Sequence, residues 1–292
     1  MPLTVSPCRL CPNHCDVDRT TTIGRCGVPD YPLVSRVALH PWEEPIISGT
    51  RGSGTIFFAG CNLMCVFCQN YRISHDLVGK AYTVTMLADA MRRLVDMGAH
   101  NVNFVTPTHY AHAVQAALDL YRPPVPVVYN CGGYENVDTL CALEGYVDIY
   151  MPDMKYGAED TAVRYAGVHG YPQVAKAAIA EMVRQQPKVQ IKDGIMQKGV
   201  LIRHLVLPEH SGESVDVVTY LYKTYGNQIY MSVMNQYTPY GNASAYPEIN
   251  RRLKPLEYRR VVAALERMGA TQVFVQDSAS ADTVYIPPFD GE

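Results

Sequence analysis

The sequence has no long hydrophobic run and no strong charge of either sign. A bilayer-spanning helix needs about 20 consecutive apolar residues, and no run in the 292 residues approaches that length. The formal net charge of −3 gives no electrostatic reason to expect a nucleic acid or an anionic membrane as a partner. The amino terminus, MPLTVSPCRLCPNHC, lacks the basic start and apolar middle of a signal peptide. We therefore expect a cytoplasmic protein with reduced thiols.

Nine cysteines stand out against this background. Disulfides are rare in a reducing compartment, so closely spaced cysteines indicate metal binding or catalysis. Seven of the nine fall into two clusters along the chain: Cys8, Cys11, Cys15 and Cys26, followed by Cys61, Cys65 and Cys68. A lone cysteine is usually a small buried hydrophobic residue, and we expect this of Cys131 and Cys141. Cys131 is the more interesting of the two, because it follows a predicted strand.

The hydrophobic pattern after residue 50 predicts alternating strands and helices. Seven short apolar runs, typical of parallel strands covered on both faces, cover residues 55–60, 101–106, 125–130, 147–152, 201–208, 228–234 and 271–276. Helical patterns such as TVTMLADAMRRLVDMG lie between them. Six or seven such units are fewer than the eight of a closed barrel, so we predict an α/β fold with a partial, open (β/α)6 barrel. A doubly wound sheet is the alternative, and either fold places chemistry at the carboxyl ends of the strands.

The first 50 residues differ in character from the rest. They contain four cysteines at the spacing Cys-x2-Cys-x3-Cys-x10-Cys, several prolines and no long periodic segment. We predict a metal-binding extension over residues 1–50, followed by the barrel over 51–292. Zinc would close a tetrahedral structural site there, whereas an auxiliary iron–sulfur cluster would carry electrons, and the spacing fits both. His14 is a substitute ligand. Residues 27–53 are long enough to separate this centre from the second cysteine cluster.

The second cluster lies in GTIFFAGCNLMCVFCQN, directly after the first predicted barrel strand. Its spacing is Cys-x3-Cys-x2-Cys. Three thiolates are one too few for a closed tetrahedral metal site, but they suit three corners of a [4Fe–4S] cluster. The fourth iron then has no protein ligand. A zinc site completed by His75 is the alternative.

The segment CNLMCVFCQN resembles the signature of the radical S-adenosylmethionine (SAM) enzymes, with Phe67 as the aromatic residue before the third cysteine. Over residues ~50 to 290 the chain is most similar to homologues of pyruvate formate-lyase activating enzyme. The resemblance implies that SAM chelates the open iron through its amino and carboxylate groups. It implies that an electron from the reduced cluster cleaves SAM to methionine and a 5′-deoxyadenosyl radical, which abstracts hydrogen from a substrate. It also implies an electron donor such as flavodoxin or ferredoxin.

Polar residues at the predicted strand ends are the candidate SAM contacts. The second strand ends in FVTPTHY, where the family usually has a Gly-Gly-Glu-Pro-like segment; here Thr106, Thr108 and His109 stand, and the glutamate is absent. The fourth strand ends in YMPDMKY, which resembles the Asp-x-Lys motif of the glycyl-radical activating enzymes. The resemblance implies that Asp153 and Lys155 lie beside SAM.

Four further residues complete the candidate SAM site: Asn70, Asn130, Arg203 and Gln236. Arg203 lies in the apolar run LIRHLVLP, and a charged arginine is rarely buried unless it is paired. The resemblance implies contact between Arg203 and the SAM carboxylate. Its neighbour His204 is predicted to be a core histidine.

These observations predict a radical SAM enzyme that abstracts a hydrogen atom from a backbone glycine of a partner glycyl radical enzyme. One alternative is radical modification of another peptide, an RNA or a small metabolite. Another is an iron–sulfur redox protein that catalyses no reaction.

Overall fold

The computed structural model describes residues 3–276 and residue 289. Within them the strands are β1 (Leu33–His40), β2 (Ser53–Phe58), β3 (Lys80–Ala81), β4 (Val102–Val105), β5 (Val127–Cys131), β6 (Ile149–Pro152), β7 (Gln190–Lys192), β8 (Ile195–Leu205), β9 (Tyr230–Met234) and β10 (Val273–Val275). The α-helices are α1 (Pro45–Ser48), α2 (Tyr71–Ser74), α3 (Val84–Asp96), α4 (Ala111–Leu120), α5 (Val137–Ala142), α6 (Glu159–Ala166), α7 (Tyr171–Gln185), α8 (Ser211–Tyr225) and α9 (Pro255–Arg267). None of these helices is long and apolar enough to cross a membrane.

The strands form one sheet in the order β10-β9-β8-β6-β5-β4-β2-β1-β3, with β7 paired to β8. From β2 to β10 along this path, every neighbouring pair is parallel. Each of the seven predicted apolar runs contributes one of these parallel strands. Because their spatial order follows the chain without reversal, the strands wind in one direction only. The partial-barrel prediction is therefore confirmed, and the doubly wound alternative is wrong.

Helix α3 shows how the spacing of apolar residues in the sequence produces a helix that packs against the sheet. Leu87, Met91 and Leu94 are buried, and they lie on the same side of the helix because their spacing follows its period. The Thr83 side chain caps the helix by accepting a hydrogen bond from the Met86 backbone N–H at 3.1 Å. Gly98, with φ of +85°, follows the last turn, where a left-handed residue ends a helix readily.

The extension does not lead away from the barrel. Strand β1 pairs antiparallel with β2, so residues 33–40 belong to the main sheet. The chain runs down β1 and back up β2, which returns the first cysteine cluster to the same end of the sheet as the second. The intervening residues therefore do not carry the chain away from the active-site loop, and that the two cysteine sets hold separate metal centres stays a prediction. The division at residue 50 stays a prediction.

Three isolated side chains show mixed outcomes. Cys131 is buried, as predicted, whereas Cys141 is exposed and donates to Glu181 at 3.3 Å, so the prediction for Cys141 is wrong. His204 is the predicted core histidine: it is buried, and its Nδ1 lies 2.6 Å from the Met154 carbonyl oxygen.

Candidate active site

The three-cysteine loop begins where β2 ends. Gly60 turns the chain there with φ of +82°, and a Cβ on it would lie 2.7 Å from the Cys26 carbonyl oxygen. The three thiols follow close together. Burial is the main cause that raises the pKa of Cys61 to about 11 and that of Cys65 to about 12, and charge on the neighbouring cysteines contributes to both shifts. The spacing Cys-x3-Cys-x2-Cys keeps all three thiols on this one loop.

Hydrogen-bond donors surround these sulfur atoms. The Tyr156 hydroxyl donates to Cys65 Sγ at 3.1 Å, and the Leu63 backbone N–H donates to Cys61 Sγ at 3.4 Å. As they stand, no three histidine, cysteine, aspartate or glutamate side chains in the described residues are placed to hold a single metal ion. In a [4Fe–4S] cluster each thiolate binds its own iron, so the sulfurs need not meet at one ion. Three cysteines on one loop, two of which accept hydrogen bonds at sulfur, therefore fit an iron–sulfur cluster.

Phe67 anchors this loop by packing. Its ring contacts Tyr156, Tyr165 and Tyr237 edge-on, at centroid distances of 6.4, 6.1 and 5.6 Å. The side chain is 5% exposed. Phe67 thus positions the loop by packing against three tyrosines from later in the chain.

Asn70 lies at the other end of the three-cysteine loop, and Gln236 follows β9 and contacts that loop. Asn70 begins α2, and its carbonyl accepts from the Ile73 backbone N–H at 3.1 Å. The Gln69 amide donates to the Gln236 carbonyl at 3.2 Å, which ties the loop to the end of β9. His75, considered as a zinc ligand, stacks on Tyr71 with ring centroids 4.0 Å apart.

A buried charge cluster lies at the ends of β6 and β8. Asp153 Oδ1 accepts from Arg203 Nε at 2.8 Å, and Asp153 Oδ2 contacts Lys155 Nζ. Burial alone would raise the pKa of Asp153, but the charges of Arg203 and Lys155 hold it below its ordinary value. Burial opposes the charge of Lys155, yet Asp153 and the Cys65 sulfur raise its pKa. The charge of Lys155 therefore couples to both the carboxylate and the cluster loop.

Arg203 also binds a residue that the sequence analysis missed. Its Nη1 donates to Glu43 Oε2 at 3.1 Å, and its Nη2 donates to Asn130 Oδ1 at 2.6 Å. Asn130 in turn donates to Glu43 Oε1 at 3.2 Å. Glu43 follows β1 and reaches the barrel interior from the amino end of β2. The rule that a buried arginine needs an acid predicts such a partner, but it does not identify which one. Contact of Arg203 with SAM stays a prediction.

The polar residues after β4 form hydrogen bonds with other residues of the chain. The Thr106 N–H donates to the Asn130 carbonyl at 2.8 Å, and Thr106 has φ of +59°, a costly conformation for a β-branched residue. Thr108 Oγ1 donates to Glu135 at 2.6 Å. His109 is buried with Nε2 2.9 Å from the Ala59 carbonyl, and burial lowers its pKa to about 3. The structure thus places Thr106 beside Asn130 at the end of β5, whereas Thr108 and His109 make contacts with Glu135 and Ala59.

Glu135 is a second carboxylate that the sequence analysis missed. It is 1% exposed and accepts from the Tyr129 hydroxyl at 3.2 Å in addition to Thr108. Burial raises its pKa to about 7, although the donated hydrogen bonds oppose that shift. Glu135 lies in the loop after β5 and is part of no recognisable sequence motif. Its burial, which appears only in the folded structure, is what distinguishes it from other glutamates.

The amino-terminal cysteines lie at the same end of the sheet as the three-cysteine loop. Cys8, Cys11 and Cys26 are buried, and Cys15 is half-buried. Asn13 Nδ2 lies 3.6 Å from Cys11 Sγ and donates to the Asn62 carbonyl at 2.9 Å, beside Cys61. One amide therefore contacts both cysteine sites. The His14 ring lies 3.3 Å from the Asn136 amide.

Comparison with known proteins yields one family and several related structures. Residues 55–217 match the sequence pattern of the radical SAM superfamily. The uncharacterized protein MJ0674 of Methanocaldococcus jannaschii is 33% identical over 277 residues, which cover 91% of this chain and 76% of that protein.

Among solved structures, Streptococcus suis SuiB bound to S-adenosylmethionine is similar with a TM-score of 0.51 and 15% identity. The match covers 74% of this chain and 47% of SuiB, so the chain spans about half the length of that protein. A radical SAM methyltransferase from Sphaerobacter thermophilus is similar with a TM-score of 0.50 and 14% identity, covering 76% of this chain and 66% of that one. At these identities the likeness shows the fold alone.

Proposed function

The chain belongs to the radical SAM superfamily, and we propose that Cys61, Cys65 and Cys68 hold the [4Fe–4S] cluster of an enzyme that cleaves SAM. The observation that carries this proposal is the position of all three cysteines on one loop directly after β2, within the residues that match the superfamily. When bound, the cluster supplies the electron that splits SAM into methionine and a 5′-deoxyadenosyl radical. A low-potential protein such as flavodoxin or ferredoxin is the electron donor in this proposal.

Lys155 is the residue best placed to hold the SAM carboxylate. Its ammonium group has three N–H donors, and the contact with Asp153 uses one of them. Asp153 holds the lysine ammonium group through Oδ2, while Arg203 binds the other oxygen of the same carboxylate. The side chain is 23% exposed, so it remains accessible to a ligand. This arrangement supports electrostatic binding of an anionic group next to the cluster.

We propose, as the finer function, that the substrate is a backbone glycine of a partner glycyl radical enzyme. The 5′-deoxyadenosyl radical takes a hydrogen atom from the glycine Cα, which leaves 5′-deoxyadenosine and a glycyl radical. The support is the likeness of CNLMCVFCQN and PDMKY to the activating enzymes. Radical modification of another peptide, an RNA or a small metabolite is the second candidate.

The test begins with anaerobic reconstitution and reduction in the presence of SAM. We expect methionine and 5′-deoxyadenosine by chromatography, and we expect Cys65→Ala to abolish both the cluster signal in electron paramagnetic resonance (EPR) and the products. A cluster that forms without any 5′-deoxyadenosine would indicate a redox protein instead. A glycyl radical signal in an added partner enzyme tests the finer function separately.

We also propose a second metal centre at Cys8, Cys11, Cys15 and Cys26. The spacing of the four cysteines supports it, and four thiolates are a ligand set that both zinc and an iron–sulfur cluster use. Metal analysis of anaerobically purified protein separates them, since about eight irons per chain indicate two clusters. About four irons with one zinc indicate a structural zinc site. Four irons with no zinc would contradict the proposal.

A further inference from the structure

Arg19 is a fully buried cation within the amino-terminal segment. Its side chain is 1% exposed. Nη1 donates to the His109 carbonyl at 2.5 Å, Nη2 donates to the Pro29 carbonyl, and the guanidinium lies over the Tyr110 ring. Nε is buried with no hydrogen-bond partner. In the described part of the chain, no carboxylate pairs with this charge, although a buried ion without a counter-charge is strongly destabilising.

The ionisable groups that face Arg19 include the Cys8 thiol and the Tyr110 phenol. Nη1 lies 4.0 Å from Cys8 Sγ, and the guanidinium lies over the Tyr110 ring. The His109 ring, which also faces Arg19, has a pKa lowered to about 3 by burial and is therefore neutral. The carbonyl oxygens that bind Arg19 are dipoles and carry no net charge. A metal-bound Cys8 thiolate would therefore place a negative charge directly beside Arg19.

Three of the four sulfurs also receive an N–H donor. Cys8 receives one from Arg19, Cys11 from the Asn13 amide at 3.6 Å, and Cys15 from the Arg25 backbone N–H at 3.4 Å. A neutral thiol is a weak acceptor, whereas an ionised sulfur makes stronger, charge-assisted hydrogen bonds. The surroundings of these three sulfurs therefore suit thiolates.

We propose that Arg19 is the counter-cation of an anionic metal centre held by Cys8, Cys11, Cys15 and Cys26. This rests on the proposed second metal centre and adds to it the residue that compensates its charge. Four thiolates carry more negative charge than a zinc ion or an oxidised [4Fe–4S] core carries positive charge, so the assembled centre is anionic. Arg19 neutralises part of that charge inside the protein, and the centre neutralises Arg19.

The consequence is that metal loading holds the segment on the barrel. Arg19 ties the segment to the turn after β4 through His109. The Leu10 carbonyl accepts from Thr139 at 2.8 Å, and Asn13 donates to the Asn62 carbonyl beside the active-site loop. Without the metal centre, no carboxylate in the described part of the chain pairs with the buried guanidinium. The apoprotein is then expected to release this segment from the strand ends.

The experiment uses Arg19→Met in two backgrounds, with thermal unfolding of the full chain as the measurement. In the metal-loaded protein the substitution removes the counter-charge, so Tm falls and the metal of this site is bound at least tenfold more weakly. In a chain carrying Cys8→Ser, Cys11→Ser, Cys15→Ser and Cys26→Ser, the same substitution removes an uncompensated cation, so Tm rises. The sign reversal is diagnostic, because loss of the two carbonyl hydrogen bonds alone would lower Tm in both backgrounds.

Two further variants control for charge and position. Arg19→Lys keeps the positive charge and is expected to retain the metal. Arg9→Gln removes an exposed arginine of the same segment, which pairs with Asp16 at 2.5 Å and is 66% exposed, and it is expected to change neither metal content nor Tm. If the serine variant does not fold, chelator-treated chains replace it in the comparison.

Three outcomes would overturn the inference: a fall in Tm in both backgrounds, unchanged metal affinity in Arg19→Met, or a site that binds no metal. Iron at Cys61, Cys65 and Cys68 and 5′-deoxyadenosine formation are measured in the same samples. The proposed SAM cleavage therefore stands or fails separately.

Discussion

The two cysteine sites lie side by side, yet their cations are held differently. At the active-site loop, Lys155 is 23% exposed and contacts Asp153, which also binds Arg203. At the amino-terminal site, Arg19 is 1% exposed and bound to backbone carbonyls. A cation that receives a substrate must be reachable and able to change partners, whereas one that balances a permanent centre is most effective when fixed and dry. In our proposal, the accessible Lys155 suits a site that binds a substrate, and the fixed Arg19 suits a site that holds a resident metal.

Arg203→Met is expected to have the largest effect on stability. Arg203 pairs with carboxylates, whereas Arg19 binds backbone carbonyl groups. Removing Arg203 leaves Glu43 and Asp153 without their common cation inside the barrel. We expect the free energy of unfolding to fall by about 3–5 kcal/mol, whether or not metal is present. Denaturant unfolding of loaded and chelated protein measures this. An effect that disappears on chelation would mean that Arg203 also serves a metal site.

Glu135→Gln tests the region between the two sites. With a pKa of about 7 in the folded protein, Glu135 contributes stability that is fully present below its ordinary pKa of 4.5 and is lost as the pH rises through 7. The change amounts to roughly 3 kcal/mol. Glutamine cannot ionise, so the variant is expected to match the native chain near pH 4 and exceed its stability at pH 8. Equal pH profiles for the two proteins would contradict this assignment.

Lys155→Ala tests the accessible cation directly. Loss of a charge-assisted hydrogen bond is worth about 1.5–3 kcal/mol, so SAM should bind roughly 10- to 100-fold more weakly. The cluster spectrum should not change. Lys192→Ala, at an exposed position in β7, is the matched control. Loss of the cluster in Lys155→Ala would show that the lysine supports the loop and does not bind the ligand.

Tyr156→Phe is expected to have the smallest effect. Its hydroxyl donates to Cys65 Sγ, and a donor to a cluster sulfur favours the more negative, reduced state. Removing it should lower the reduction potential in an EPR-monitored titration, with the iron content unchanged. Tyr165→Phe is a close control, because its ring also packs on Phe67 but its hydroxyl contacts His210 and Glu248. Equal shifts in both variants would assign the effect to packing.

Properties that depend on neighbouring residues could be predicted from the sequence. Each parallel strand is a continuous apolar run, because a strand covered on both faces needs apolar residues at successive positions. The three cysteines at the active end lie on one loop, so their spacing alone indicates a shared cluster. Asp153 and Lys155 could also be identified from the sequence, because they form a short motif at a strand end. Their meeting with Arg203 follows from the adjacency of β6 and β8.

Other properties depend on which distant segments meet in the folded chain. Glu43 pairs with Arg203 across 160 residues, and Glu135 acquires its raised pKa only by burial under Thr108 and Tyr129. The antiparallel pairing of β1 with β2 places the two cysteine clusters together, where a count of the intervening residues predicted separation. Local pattern determined the strands and the cluster loop, because hydrophobic periodicity and ligand spacing are short-range. Only tertiary structure decided which charges are compensated, since burial and ion pairing depend on the whole fold.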